Sequence, residues 1–266
     1  ARKFDENESM CTMKDLMIGV KKFKCRFFLG TGKFASSELL RAAIDASGTE
    51  LVTTALTRVH EGDAANDDIL KVIDRSKVEV MLNTSGARNA DEAVRIAKLG
   101  KAAGYNWIKI EVHPDARYLL PDPVETLAAV EACAKLGMVV LPYINADPVL
   151  ARHCEEAGAA AVMPLGSPIG SNRGIRTRDM IEIIVEQSHV PVVVDAGIGL
   201  PALGGWAIDL GGDGVLANTA VGAADDPVAM ARACGLAVQA AELALRAGPP
   251  SARATASARS PMDIFK

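Results

Sequence analysis

Short runs of apolar, β-branched residues alternate along most of the chain with longer stretches in which Ala, Leu and Ile recur at helical spacing. That alternation predicts a parallel sheet with crossover helices, because strands covered by helices on their outer face read as nearly continuous apolar runs. Eight runs read as strands: Cys25–Leu29, Leu51–Leu56, Val78–Leu82, Trp107–Val112, Met138–Leu141, Ala160–Met163, Pro191–Asp195 and Gly214–Ala217. Eight β/α units in one chain predict an α/β fold, a single (β/α)8 TIM barrel, although an open doubly wound sheet has the same periodicity. Helix ends are marked in several places. Ser36-Ser37-Glu38 opens a helix that runs to Ala46 and stops at Ser47-Gly48, Asp122-Pro123 opens one that stops at Gly137, and Asp226-Pro227 opens the last long one.

Two pieces stand outside the alternation. Leu16–Val20, then Lys21-Lys22 and Phe23–Leu29, read as a short N-terminal hairpin that leads into the first strand and plugs the bottom of the barrel. From Gly248-Pro249-Pro250 onward the chain is rich in Ala, Ser, Arg and Pro. The expected division is a flexible N-terminus over residues 1–14, the catalytic barrel over 15–247 and a flexible tail over 248–266.

Composition narrows the function. The 266 residues are 49% hydrophobic and 23% charged with a net charge of −4, enough apolar material for one large core. The longest basic cluster is Lys21-Lys22-Phe23-Lys24 and only 4% of residues are aromatic, which argues against a nucleic-acid or anionic-membrane surface. No apolar run reaches about 18 residues and the N-terminus carries no apolar leader, so a cytoplasmic protein is expected. The five cysteines, Cys11, Cys25, Cys133, Cys154 and Cys234, are widely spaced and read as reduced core thiols rather than disulfides, a zinc site or a persulfide carrier. His60, His113, His153 and His189 form no pair at metal-ligand spacing, so neither a metal nor a cofactor is expected. His153 and His189 read as surface positions.

Barrel chemistry gathers at the C-terminal ends of strands. In the fourth strand, Trp107-Ile108-Lys109-Ile110-Glu111-Val112, period two puts Trp107, Lys109 and Glu111 on one face and the three aliphatic residues on the other. The aliphatic face must meet the helices, so Lys109 and Glu111 point into the barrel. A buried lysine loses hydration of its ammonium, which lowers its pKa and frees an amine to form an imine with a carbonyl. A buried Lys–Glu pair without chemistry is the plainer alternative. Asp195 ends the apolar seventh strand before Ala196-Gly197-Ile198-Gly199, where burial raises a carboxyl toward acid/base use. Glycine-rich or polar loops follow three strands: Gly166–Ser171 with Gly170, Ala196-Gly197, and Asn218-Thr219. Gathered at one mouth, they point to a phosphorylated ligand.

From about Leu16 to Pro261 the chain resembles the thiazole synthase family of thiamin biosynthesis. The matching stretches include Leu29-Gly30-Thr31-Gly32-Lys33, Trp107–Val112, Leu119-Leu120-Pro121-Asp122-Pro123-Val124-Glu125-Thr126-Leu127, Val139–Tyr143, Val162–Ser171 and Val194–Gly199. The resemblance implies that Lys109 is the imine-forming residue, that Glu111 and Asp195 are the acid/base carboxylates, and that Gly170, Ala196-Gly197 and Asn218-Thr219 bind the sugar phosphate. It also implies a sulfur donor: a ubiquitin-like sulfur-carrier protein with a C-terminal thiocarboxylate, docked at the barrel mouth. A homo-oligomer is expected.

Four loops depart from the usual family pattern. Asn83-Thr84-Ser85-Gly86-Ala87 replaces Asn-Thr-Ala-Gly-Cys, and Gly170-Ser171-Asn172-Arg173-Gly174 replaces Gly-Ser-Gly-Leu-Gly. Leu200-Pro201-Ala202-Leu203-Gly204-Gly205 replaces Thr-Pro-Ser-Asp-Ala-Ala, and His113 stands in an apolar position. Retained chemistry with altered loops resembles the 2-thiosugar synthases of antibiotic biosynthesis. The expectation is therefore a 2-thiosugar synthase acting on glucose 6-phosphate, with His113, Asn172 and Arg173 meeting the extra hydroxyls. The alternatives are a thiazole synthase acting on 1-deoxyxylulose 5-phosphate and a lysine-imine aldolase.

Overall fold

The structure, a computed structural model, describes residues 15–55, 70–250 and 254–255. The expectations for residues 1–14, Cys11, Leu56, His60 and most of the tail lie outside the described residues. A two-stranded antiparallel hairpin, β1 (Leu16–Ile18) and β2 (Lys21–Phe23), precedes an eight-stranded parallel sheet. The sheet strands are β3 (Phe27–Gly30), β4 (Leu51–Ala55), β5 (Glu79–Asn83), β6 (Trp107–Ile110), β7 (Val139–Ile144), β8 (Met163–Pro164), β9 (Val193–Asp195) and β10 (Gly214–Ala217). They pair in the order β8-β7-β6-β5-β4-β3-β10-β9. Parallel bridges Val162↔Val192 and Leu165↔Asp195 join the two ends, so the sheet closes into the expected (β/α)8 barrel.

The helices are α1 (Ser37–Ser47), α2 (Ala90–Ala102), α3 (Pro123–Lys135), α4 (Pro148–Glu156), α5 (Arg178–Gln187), α6 (Pro201–Asp209), α7 (Thr219–Gly222) and α8 (Pro227–Arg246). Three of them start alike. Asp122, Asp147 and Asp226 each precede a proline, and each carboxylate accepts hydrogen bonds from the two amides after it. Ser36 caps α1 and Gly48 ends it in the left-handed conformation, as the sequence predicts.

Period two along the strands divides the core into two layers. Phe27, Leu29, Val52, Leu82, Ile108, Ile110, Val112 and Val140 face outward into the shell of helices. Phe28, Leu51, Met81, Trp107, Leu141, Met163, Val193 and Leu216 fill the lower interior together with Leu16, Ile18 and Phe23 of the hairpin. Phe23 meets Phe28 and Trp107 edge-on, at ring-centroid distances of 5.5 and 5.7 Å. The hairpin thus plugs the N-terminal end of the barrel as expected, and solvent reaches the interior from the opposite end. Its turn falls at Gly19-Val20, while Lys21 and Lys22 belong to β2 and pair with Ile18 and Met17. Gly19 takes φ 57°, the left-handed conformation a tight turn favours.

The expected fifth strand, Met138–Leu141, ends before Pro142, which has no N–H to donate; β7 instead runs through Pro142 to Ile144. Neighbouring residues keep pairing, with Pro142 opposite Ile110 and Ile144 accepting from the Leu165 amide, so one missing donor is tolerated. The sequence shows no long apolar run, because Arg232 and Glu242 interrupt the last helix. By length and composition α8 is nonetheless apolar enough to cross a membrane. Here Ala231, Cys234, Val238 and Ala241 are buried at helical spacing, and α8 packs on α1 and α6.

Candidate active site

The strand geometry brings the three charged candidates together above the apolar plug. Lys109 and Glu111 point inward from β6 and its extension, and Asp195 closes β9; they are 3%, 4% and 2% exposed. Lys109 Nζ lies 3.0 Å from Glu111 Oε1 and 2.5 Å from Asp195 Oδ2, and 5.3 Å from the centre of the Tyr143 ring on β7. The site therefore holds one ammonium between two carboxylates over an aromatic face.

This grouping reverses one expectation. Burial does push the Lys109 ammonium toward its neutral form, but the attraction of Asp195 and Glu111 outweighs it and holds the lysine above its ordinary range. Reading one strand at a time showed the loss of hydration and not the second carboxylate arriving from β9. Burial raises the Asp195 carboxyl above its usual range, with Lys109 opposing that rise. A proton passing from Lys109 to Asp195 would neutralise both groups where charge is poorly solvated, leaving a nucleophilic amine beside a carboxylic acid.

Glu111 is fixed through its backbone. The Thr84 hydroxyl, fully buried just past β5, donates to the Glu111 carbonyl and accepts from the Glu111 amide, both at 2.8 Å. Neither Thr84 nor Tyr143 was singled out from the sequence. Their signal would have been a polar group at an inward position beside Lys109, and that requires the strand register.

A cavity of about 140 Å³ opens from this cluster. Its lining includes Lys109, Glu111, Asp195, Gly170, Ala196, Gly197, Asn218 and Thr219, eight of the ten residues expected at the site. Thr53, Asn83, Ser85 and Asn172 add polar groups. His113 and Arg173 do not line it. His113 is buried behind Glu111 against Tyr143, and Arg173 is exposed.

The rim is conformationally demanding. Leu119, Asn172 and Ala196, three of the four non-glycine residues with positive φ among those described, all line the cavity. Gly197 has φ 75°, and a Cβ there would fall 1.9 Å from Ser167 Oγ. Only glycine lets the loop after β9 lie flat against the loop after β8.

The remaining candidates lie away from the cavity. Cys133, Cys154 and Cys234 are buried, and burial pushes their thiols up to about 11, about 12 and about 11. His153 is exposed on α4, and His189 sits on the surface 2.9 Å from Glu155. Among the described residues no cluster of His, Cys, Asp or Glu is fit to hold a metal ion.

Residues 17–261 match the family model described as thiazole biosynthesis protein ThiG. A thiazole synthase of Syntrophobacter fumaroxidans is 57% identical over 253 residues, 95% of this chain and 98% of that protein. One from Porphyromonas gingivalis is 54% identical over 255 residues, with the same shares. Among solved structures, the Amycolatopsis orientalis BexX/CysO complex superposes with a TM-score of 0.80 at 31% identity, covering 90% of this chain and 98% of that one. Matched over most of its length by that model and more than half identical to both thiazole synthases, this chain belongs to the thiazole biosynthesis protein ThiG family.

Proposed function

We propose that the chain is a sulfur-transfer synthase in which Lys109 forms an imine with a phosphorylated sugar. The observation that carries this reading is the buried Lys109 ammonium held between Glu111 and Asp195 at the floor of the cavity. Lys109 gives up a proton to a carboxylate, its Nζ attacks the sugar carbonyl, and water leaves to give the protonated imine. A carboxylate takes the proton from the adjacent carbon, forming an enaminol whose tautomerisation leaves a ketone there. The sulfur of a carrier-protein thiocarboxylate then attacks that carbonyl carbon. Well-placed carboxyls at each proton transfer are worth roughly 10²–10⁴ in rate. Gly170, Ala196-Gly197 and Asn218-Thr219, on the rim, are the proposed phosphate contacts. That the BexX/CysO neighbour was solved as a complex supports a protein partner as the sulfur donor.

We take 1-deoxyxylulose 5-phosphate as the first candidate sugar, because the thiazole synthases compared are 57% and 54% identical against 31% for BexX. Glucose 6-phosphate is the second reading. It is favoured by Ser85 and Asn172, two polar departures from the usual family pattern that line the cavity, whereas His113 and Arg173 do not. Incubation with each sugar, borohydride reduction and intact-mass analysis test the proposal. A reduced adduct on the wild-type chain and none on Lys109→Ala is expected; no adduct with either sugar overturns it. Cleavage of the sugar without a sulfur donor would point to a lysine-imine aldolase instead.

A further inference from the structure

We infer that His113 is a positioning residue that takes over the Glu111 carboxylate when Lys109 becomes an imine. The inference rests on the proposed imine chemistry. The two oxygens of Glu111 face different partners: Oε1 lies 3.0 Å from Lys109 Nζ, and Oε2 lies 3.9 Å from His113 Nε2. The second distance is too long for a hydrogen bond, and His113 Nε2 is buried with no hydrogen-bond partner. A buried ring nitrogen one short movement from a carboxylate oxygen is a bond held in reserve, of the kind that tightens only once substrate is bound.

The surroundings fix the imidazole for that role. The His113 amide donates to the Ala87 carbonyl at 2.8 Å, locking the backbone. The ring meets Tyr143 edge-on, with centroids 5.8 Å apart and planes at 79°. At 6% exposure and outside the cavity lining, His113 does not reach the sugar. The charged and titratable groups around it are Lys109 on β6, Glu111 on the extension that leads from β6 to His113, Tyr143 on β7 and, beyond Lys109, Asp195 on β9. Burial holds the imidazole below its ordinary range, so it is neutral and offers a single N–H.

Converting the ammonium to an imine ties Nζ to the sugar carbon and leaves it at most one N–H, shared between two carboxylates. With the ring in the tautomer that carries its hydrogen on Nε2, Glu111 then turns toward that N–H, which holds the carboxylate in place to take the proton from the adjacent carbon. His113 neither forms nor breaks a covalent bond in this sequence.

The test compares wild type, His113→Phe and His113→Gln with 1-deoxyxylulose 5-phosphate and with glucose 6-phosphate. Borohydride-trapped adduct reports the imine, and deuterium uptake from heavy water at the carbon next to it reports the Glu111-dependent step across pH. All three proteins should trap the imine to a similar extent. In His113→Phe exchange should slow about tenfold and its acid limb should move up by about one pH unit, since the ionised carboxylate has lost a donor. His113→Gln, which retains an N–H, should recover most of both. Exchange in His113→Phe that matches wild type in rate and pH profile overturns the inference, as does exchange that falls only in proportion to trapped imine in both variants. If the wild type traps no adduct with either sugar, the imine reading fails and this inference fails with it.

Discussion

Replacing Lys109 by methionine would leave Glu111 and Asp195 buried side by side with no cation between them. Removing one member of such a cluster costs about 3–5 kcal/mol. The sign with pH follows from Asp195, whose carboxyl already lies above its usual range and which Lys109 holds down. In Lys109→Met that rise grows, so the folded state binds a proton more tightly than the unfolded one. Stability relative to wild type then falls as pH climbs from the ordinary carboxylate value toward neutrality, and acid restores it. Thermal unfolding followed from pH 4 to 8 should show the gap between variant and wild type widening with pH; a gap that is flat or narrows would contradict the cluster drawn here. The residue scale also shows the limit of local reading. The lone inward lysine of β6 is legible from its alternation with Ile108 and Ile110, whereas its charge state depends on a strand more than eighty positions later in the chain.

At the scale of elements, the barrel separates its stability from its chemistry along one axis. The hairpin β1–β2 contributes Leu16, Ile18 and Phe23 to the lower interior layer, while the charged cluster lies in the layer above. Phe23→Ala should therefore cost about 3–5 kcal/mol in denaturant unfolding, the range for emptying a buried aromatic site. Borohydride trapping on Lys109 should persist at temperatures where the variant stays folded. Loss of trapping without loss of structure would show that the plug shapes the cavity as well as sealing the far end. The hairpin itself was readable from the sequence and its turn was not. Lys21 and Lys22 look like turn residues, but Gly19 supplies the left-handed backbone the turn requires and the lysines lie along the paired strand.

For the whole molecule, close packing of the helices on the barrel accounts for the thiols. Cys133, Cys154 and Cys234 face inward from three different helices, α3, α4 and α8, and Cys25, half buried, is likewise pushed up to about 11. In a Cys11→Ser protein, which limits the assay to described positions, a thiol reagent at pH 8 should modify these four slowly in the native state and rapidly in denaturant. Fast native labelling of Cys133, Cys154 or Cys234 would mean that the helical shell opens more readily than its packing implies.

The sequence alone determined the eight β/α units, the inward face of β6, the Asp-Pro helix starts and the set of loops at the mouth. Each follows from short-range periodicity or from the backbone preferences of Pro, Gly and Asp, which act within a few residues. Closure of the sheet rests on the Val162↔Val192 and Leu165↔Asp195 bridges. Closure brought Asp195 against Lys109, turned His113 behind Glu111 instead of toward a ligand and left Arg173 outside the cavity. Those outcomes depend on register and strand tilt between distant segments, and the electrostatics of a buried charge is set by whatever those segments bring within a few ångströms of it.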